Sequence, residues 1–198
     1  MTWGLRCTRL IQHPIIPGMI CECSFFLSCR MGIILSGGVI LRFIVVGDTH
    51  GQIQPVLEEL KNMPADGLFF TGDHYLDGLK IARELALDFY GVTGNCDRGV
   101  TGPHELTLEF LNNRIYLCHG HLYGVKNTLQ NLYYRSLEVG AGAVVFGHTH
   151  SPFCEQIDGI WFINPGSPTR PRFNSPKTYI LLELEDLSIK AGIIEINN

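Results

Sequence analysis

The feature that most constrains the fold of this chain is a series of short apolar segments, each ending at a small polar cluster. Five clusters recur in this way: Gly47-Asp48-Thr49-His50-Gly51, Gly72-Asp73-His74, Gly94-Asn95-Cys96-Asp97, His119-Gly120-His121 and Gly147-His148-Thr149-His150. The first apolar segment, Leu41–Val46, is of the kind that forms a strand buried on both faces. Each cluster supplies a carboxylate, an amide oxygen or an imidazole, so the pattern indicates metal ligands at successive strand ends.

The segments between the clusters predict an α/β fold. Strands are predicted at Leu41–Val46, Gly67–Thr71, Asp88–Val92, Ala143–Phe146, Tyr179–Leu184 and Ile189–Ile196, and helices at Pro55–Met63, Leu79–Leu87 and Val125–Val139. Two hairpins are predicted, Leu106–Leu111 with Arg114–Cys118 through Asn112-Asn113, and Cys154–Ile157 with Ile160–Ile163 through Asp158-Gly159. Because ligands bind beyond the carboxyl ends of strands in α/β sheets, we expect the five clusters to converge.

Length and charge limit the possible classes of protein. We expect one folded domain at residues 41–198, with residues 1–40 as an extension outside the core. A formal net charge of −4 argues against stable binding to nucleic acid or to a membrane surface, which needs a basic face. The longest apolar stretch, Gly32–Val46, is too short for a membrane span and carries Arg42.

The seven cysteines bear on the compartment. Their number is odd and their spacing does not repeat, which is a poor framework for disulfides in a chain of this size. We therefore expect reduced cysteines and a cytoplasmic protein. A zinc knuckle on Cys21-Glu22-Cys23 would need a second paired motif, and the sequence has none.

Each polar cluster is weak evidence when taken alone, because a Gly-Asp pair is more often a turn and a lone histidine more often a surface or core residue. The clusters gain weight together, since their donors complement one another. Asp48 and His50 are two positions apart, as are His148 and His150, and the two oxygens of Asp73 suit it to bridge two ions. Such a mixed nitrogen and oxygen set suits Mn²⁺, Fe²⁺, Ni²⁺ or Zn²⁺ better than Mg²⁺ alone.

In their order, these motifs resemble the calcineurin-like metallophosphoesterase superfamily, and within it the small YfcE-type phosphodiesterase branch. The resemblance runs from Leu41 to the C-terminus and includes Ile163-Asn164-Pro165-Gly166-Ser167. It implies a β-sandwich of two mixed sheets flanked by helices, in α/β/β/α layers, with two divalent metal ions. By this resemblance one ion is held by Asp48, His50, Asp73 and His150, and the other by Asp73, Asn95, His119 and His148. Mn²⁺ is the favoured ion.

The implied reaction is hydrolysis of a phosphodiester. Two cations about 3.5–4 Å apart can lower the pKa of a shared water and stabilise charge on the phosphoryl oxygens during in-line attack. A bridging hydroxide is then the nucleophile, and no side chain becomes phosphorylated. The expected substrate is a small phosphodiester or nucleotide, and the sequence leaves a homo-oligomer open.

The third cluster departs from many members of the superfamily, in which a histidine after Gly-Asn can protonate the leaving group. Here that position is Cys96, as is usual for the YfcE-type branch. A thiol replaces the histidine poorly, so the leaving-group proton could come from Asp97 or His121 instead, and substrates with good leaving groups are favoured. The alternative for Cys96 is a small buried filler.

Residues 165–177 contain two arginines, Arg170 and Arg172, that are candidates for binding the substrate phosphate. The alternative is a solvated loop. Two rival functions remain: a protein-binding scaffold like the retromer subunit of this fold, and a phosphomonoesterase. A full set of residues able to bind metal favours the enzyme, because a scaffold tolerates their loss.

Overall fold

The computed structural model describes residues 38–196. Nearly all of the predicted extension, residues 1–40, lies outside the described residues, so the domain boundary stays a prediction. Cys7, Cys21, Cys23 and Cys29 also lie outside them. No helix within the described range is long and apolar enough to cross a membrane.

Two mixed five-stranded sheets form the centre of the fold. The first sheet contains β1 (Leu41–Val46), β2 (Gly67–Phe70), β3 (Asp88–Gly91), β9 (Thr178–Glu185) and β10 (Ser188–Glu195), in the order β10-β9-β1-β2-β3. The second contains β4 (Glu105–Phe110), β5 (Asn113–Cys118), β6 (Ala143–Val145), β7 (Pro152–Ile157) and β8 (Ile160–Pro165), in the order β4-β5-β6-β8-β7. Three α-helices, α1 (Gln54–Leu60), α2 (Tyr75–Leu85) and α3 (Gln130–Glu138), and a 3₁₀ helix at His121–Tyr123 complete the described elements.

Strand β1 shows why its sequence is apolar from Phe43 to Val46, the part that is buried. Phe43 and Val45 pack into the core between the sheets, whereas Ile44 and Val46 pack toward α1 and α2 on the opposite face. Side chains alternate between the two faces of a strand, and both faces of β1 are covered. In the same way β5 contributes Ile115 and Leu117 to the core between the sheets, and Tyr116 to the core beneath α3. The predicted α/β/β/α sandwich is confirmed.

The carboxyl ends of the parallel strands bring the polar clusters together. Strands β1, β2 and β3 are parallel, and so are β5, β6 and β8 in the other sheet. Backbone hydrogen bonds join the loops that follow them: the N–H of Asp48 donates to Gly72 O at 3.0 Å, and the N–H of Gly147 donates to His119 O at 3.1 Å.

Several predicted boundaries are wrong, and three of them have a clear structural reason. Helix α3 begins at Gln130 instead of Val125, because Gly124 has φ +65° and residues 124–127 form a turn. Val125 and Leu129 still pack on the core beneath α3, which explains their helix-like spacing. Helix α2 begins at Tyr75 instead of Leu79. It includes Gly78, whose missing side chain makes room for the ring of Phe70.

The third correction is a turn. The first hairpin turns at Leu111-Asn112, both with positive φ, so that Phe110 pairs with Asn113. Asn113 belongs to the strand, where its amide Nδ2 donates to Leu111 O at 3.0 Å and to Glu185 O at 2.6 Å. The contact with Glu185, at the end of β9 and 72 residues away, favours this register. The predicted turn at Asp158-Gly159 is confirmed by the pairing of Ile157 with Ile160.

Candidate metal centre

The structure brings the seven predicted metal ligands to one place. Asp48, His50, Asp73 and His150 each offer a ligand atom within 4.8 Å of the others, and Asp73, His119 and His148 form a second group of this kind. Asn95 completes the set, since its Oδ1 lies 3.2 Å from His119 Nε2. Asp73 belongs to both groups, as expected for a bridging carboxylate.

The hydrogen bonds of two histidines set the direction of their lone pairs. Nδ1–H of His119 donates to the carbonyl of Thr71 at 2.8 Å, and Nδ1–H of His150 donates to the carbonyl of Arg170 at 2.8 Å. A carbonyl can only accept, so in the neutral rings Nε2 carries no hydrogen. The Nε2 lone pair of His119 then faces Asn95 Oδ1, Asp73 Oδ1 at 3.4 Å and His148 Nδ1 at 3.1 Å.

A bound cation would satisfy the acceptor atoms that converge here. Asp48 is fully buried, and its Oδ1 has no hydrogen-bond partner within residues 38–196. His150 Nε2 lies 3.2 Å from this oxygen without donating a hydrogen bond to it. A buried carboxylate oxygen without a partner is costly. The residues therefore fit a divalent ion, and their nitrogen and oxygen donors suit Mn²⁺, Fe²⁺, Ni²⁺ or Zn²⁺.

The electrostatics of the centre agree with this fit. Burial, together with neighbouring His119, lowers the pKa of His148 to about 4, so its imidazole is neutral and free to donate a lone pair. Burial raises the pKa of Asp73, but His119 and the N–H of Cys96 outweigh it, and the net pKa is lowered. Burial also lowers the pKa of His150, but Asp48 outweighs it and the net pKa is raised. The carboxylate of Asp73 thus stays ionised and attracts positive charge.

The backbone of the centre is strained. Five of the seven predicted ligands have positive φ: Asp48 (51°), His50 (49°), Asp73 (56°), His148 (71°) and His150 (59°). Left-handed backbone costs a non-glycine residue on the order of 1–3 kcal/mol and is concentrated at functional sites. The loops that follow β1, β2 and β6 therefore adopt a conformation that turns these side chains toward the centre at a cost in stability.

Glycines permit the close approach of the loops. A Cβ at Gly94 would collide with the carboxylate of Asp73, and one at Gly72 would lie 2.8 Å from the backbone nitrogen of Gly94. At Gly147 it would lie 2.8 Å from Asp48 Oδ2. The glycines in these motifs are thus required by packing around the ligands.

Residues outside the metal centre hold its loops. Asp77 Oδ2 accepts hydrogen bonds from Thr49 Oγ1 and from the N–H of Gly51, both at 2.8 Å. Ser167 Oγ donates to Asp48 O at 2.8 Å, and Asn164 Nδ2 donates to Gly147 O at 3.0 Å. Sequence reasoning missed Asp77, which no motif marks. Asn164 and Ser167 stood in a loop that resembles the family, but nothing in the sequence indicated their contacts.

The three candidate proton donors differ in their surroundings. Cys96 is exposed, so the alternative of a buried filler is wrong. Desolvation of its thiol and the adjacent Asp73 raise the pKa of Cys96 to about 11. Both carboxylate oxygens of Asp97 accept backbone hydrogen bonds, from the N–H of Tyr75 at 2.6 Å and from that of Gly94 at 2.8 Å. This geometry favours a positioning role for Asp97, and its role as a proton donor stays a prediction.

His121 and the two arginines lie at the edge of the centre. The ring of His121 is 5.2 Å from that of His119, and its buried Nδ1 has no hydrogen-bond partner within the described residues. Burial and the neighbouring His119 lower the pKa of His121. The backbones of both arginines bond to His150: the carbonyl of Arg170 accepts from its Nδ1–H, and the N–H of Arg172 donates to its carbonyl at 3.1 Å. Arg170 and Arg172 are both exposed. Their guanidinium groups are available to a ligand.

Comparison with known proteins gives the family. The chain matches the model of the calcineurin-like phosphoesterase superfamily domain over residues 41–187. "Probable metallophosphoesterase YsnB" of Bacillus subtilis is 36% identical over 149 residues, which cover 74% of this chain and 86% of that protein. "Phosphodiesterase YfcE" of Escherichia coli K12 is 31% identical over 178 residues, which cover 76% of this chain and 92% of that protein.

Solved structures agree. A conserved Streptococcus pneumoniae TIGR4 protein described as a predicted phosphoesterase superimposes with a TM-score of 0.70 at 27% identity, covering 82% of this chain and 93% of that one. Vps29 of Entamoeba histolytica, crystallised with Zn²⁺, has a TM-score of 0.67 at 23% identity, covering 79% of this chain and all of that one, and shares the fold. This protein belongs to the calcineurin-like phosphoesterase superfamily, and its two relatives above are named as a probable metallophosphoesterase and a phosphodiesterase. The resemblance seen in the sequence is confirmed.

Proposed function

We propose that this protein is a dinuclear metal-dependent phosphodiesterase that hydrolyses small phosphodiesters or nucleotides. The observation that carries the proposal is the convergence of seven nitrogen and oxygen donors on two positions that share Asp73. Membership of the superfamily and the relative named as a phosphodiesterase support it.

The ligands divide as the two groups of side chains suggest. Asp48, His50, Asp73 and His150 would hold one ion, and Asp73, Asn95, His119 and His148 the other. Two divalent cations in these positions supply Lewis-acid activation of water and neutralise charge on the phosphoryl oxygens. We propose Mn²⁺ as the ion, with Fe²⁺, Ni²⁺, Zn²⁺ and Mg²⁺ as the alternatives that the donor set allows.

The remaining residues of the chain act on the substrate and on the ligands. The exposed guanidinium groups of Arg170 and Arg172 suit contact with phosphoryl oxygens, because their planar donors match an anionic oxygen pair. Asp77 and Asp97 position the loops through backbone hydrogen bonds. Cys96, with its raised pKa, keeps its proton and donates weakly, so we expect the protein to prefer esters with good leaving groups.

Hydrolysis of a chromogenic diester and of the matching monoester tests the proposal. Purified protein is chelated, and Mn²⁺, Ni²⁺, Mg²⁺ or Zn²⁺ is then added separately, with bis(4-nitrophenyl) phosphate and 4-nitrophenyl phosphate as substrates. We expect metal-dependent turnover that favours the diester and is lost in Asp73→Asn, while Glu84→Gln, exposed on α2, retains it. Preference for the monoester would support a phosphomonoesterase instead.

A protein-binding scaffold is the second candidate function for this protein, because Vps29 structures share the fold. Full stability of the chelated protein without hydrolysis of either ester under any metal would favour it. We also propose a cytoplasmic location, which the free thiols of Cys96, Cys118 and Cys154 support. The oligomeric state, including a homo-oligomer, can be measured on the same purified protein by light scattering.

A further inference from the structure

A cavity of about 350 Å³ lies beside the candidate metal centre. Its wall includes Thr149, which stands between the candidate ligands His148 and His150, and Arg172, whose backbone N–H donates to His150 O at 3.1 Å. The cavity therefore shares wall residues with the loop after β6 that carries His148 and His150, although neither histidine lines it. Its volume is at the lower end of the ~300–1,000 Å³ typical of small-molecule sites, so it has room for one compact group.

The lining of this cavity is aromatic on its floor and cationic at its rim. Phe146, which is buried, and Phe153, which is half-buried, provide rings, and Phe173 adds a third that is 87% exposed. The charged residues among its lining are Lys126 and Arg172, and no carboxylate lines it within the described part of the chain. Such a surface attracts a ligand that combines a planar apolar group with negative charge.

Phe173 has an unusual conformation as well as unusual exposure. Its φ is +53°, in the left-handed region that a bulky residue rarely occupies, and the next residue, Asn174, has φ +57°. In this conformation the ring lines the cavity and stays exposed to solvent. An exposed phenyl ring in a strained segment beside a catalytic centre is available to stack on a ligand.

We propose that this cavity, called here the aromatic pocket, binds a planar aromatic group attached to the phosphate of the substrate, with Lys126 and Arg172 facing its negative charge. The inference rests on the proposed function in that the phosphate must lie at the metal centre. It narrows the substrate class to aryl phosphodiesters or nucleotides. Both sources carry a flat aromatic ring, which an aryl ester has directly on its ester oxygen and a nucleotide has on the sugar that bears the phosphate, and binding measurements separate them.

The test compares ligands that differ only in the ring. Phenylphosphonate and methylphosphonate, which are not hydrolysed, form one pair, and adenosine 5′-monophosphate and ribose 5-phosphate form the other. Affinities are measured by isothermal titration calorimetry on the chelated protein and again with Mn²⁺ added. Stacking of one ring on an aromatic side chain predicts that the aromatic member of at least one pair binds about tenfold more tightly.

Three variants locate the ring. Phe173→Ala should abolish most of the aromatic advantage, and Phe173→Tyr should retain it. The matched control is Leu187→Ala, because Leu187 is also exposed (76%), also has positive φ (54°) and lies at the other end of the sandwich, beyond β9. An advantage in both pairs indicates any aryl group, and one confined to the nucleotide pair indicates a nucleobase.

The outcomes separate this inference from the proposed function. Equal affinity within both pairs, or an aromatic advantage that Phe173→Ala leaves unchanged, would overturn the aromatic pocket. If the wild-type protein hydrolyses neither ester with any metal, the proposed function fails, while the affinity ratios measured with Mn²⁺ added, which need no turnover, still decide whether the pocket selects aromatic groups.

Discussion

Substitution of Asp77 by alanine should weaken both the fold and one metal position, although Asp77 is not among the predicted ligands. Asp77 is 7% exposed, and its Oδ2 accepts from Thr49 Oγ1 and Gly51 N–H at 2.8 Å each. These two bonds close the loop that presents Asp48 and His50, both of which have positive φ. Without the carboxylate, the loop has less to hold it in this strained conformation.

The expected size of the effect follows from the contacts. Hydrogen bonds to a charged group contribute about 1.5–3 kcal/mol each. The sum is smaller than two full bonds, because the two donors share one oxygen and the N–H of the exposed Gly51 can bond to water instead. We therefore expect Asp77→Ala to lower the free energy of unfolding by about 2–3 kcal/mol. For a domain of this size, that lowers Tm by about 4–12 °C. Loss of such an outer contact typically reduces metal affinity about 10–100-fold.

Two measurements check this prediction. Thermal unfolding of the chelated protein, followed by circular dichroism, gives the change in Tm, and calorimetric titration with Mn²⁺ gives the affinity of each position. Asp77→Asn should lie between the wild-type protein and Asp77→Ala, because its carbonyl oxygen still accepts. Glu84→Ala, exposed on the same helix, should change neither quantity. Wild-type affinity for both ions in Asp77→Ala would refute the reasoning that this carboxylate maintains the loop.

Three further predictions concern other parts of the molecule. Gly94→Ala should reduce phosphodiesterase activity at least ~100-fold while the protein stays folded, because the new methyl group meets the carboxylate of Asp73. Gly192→Ala, whose methyl group faces open space, should leave the activity unchanged. Equal activity of the two variants would contradict the collision. If the Cys96 thiol donates a proton, Cys96→Ala should slow hydrolysis of an alkyl diester more than that of a 4-nitrophenyl diester, and equal effects would remove this role. Deletion of residues 1–38 should leave a folded, active protein by circular dichroism and diester hydrolysis, and an unfolded product would place the extension within the domain.

Much of the fold and of the candidate centre could be predicted because the relevant signals are local. A strand covered on both faces, as β1 is from Phe43 to Val46, must be apolar there, and its end must be polar where it meets solvent or a ligand. The hairpin at Asp158-Gly159 needs two residues that tolerate positive φ, and the sequence provides them in place. The helix boundaries were less accurate, since Val125 and Leu129 satisfy a helical spacing while packing from a turn.

The sequence by itself determined the order of strands and helices, the chemical types of the seven candidate ligands and the family, because each depends on residues close together in the chain. Only the tertiary structure decided how those ligands are held. Asp77 reaches Thr49 across 28 residues, and Ser167 reaches Asp48 across 119. The aromatic pocket likewise joins Lys126 to Phe173. Local patterns carry no information on such pairings, which arise when two sheets pack face to face and bring distant loops to one edge.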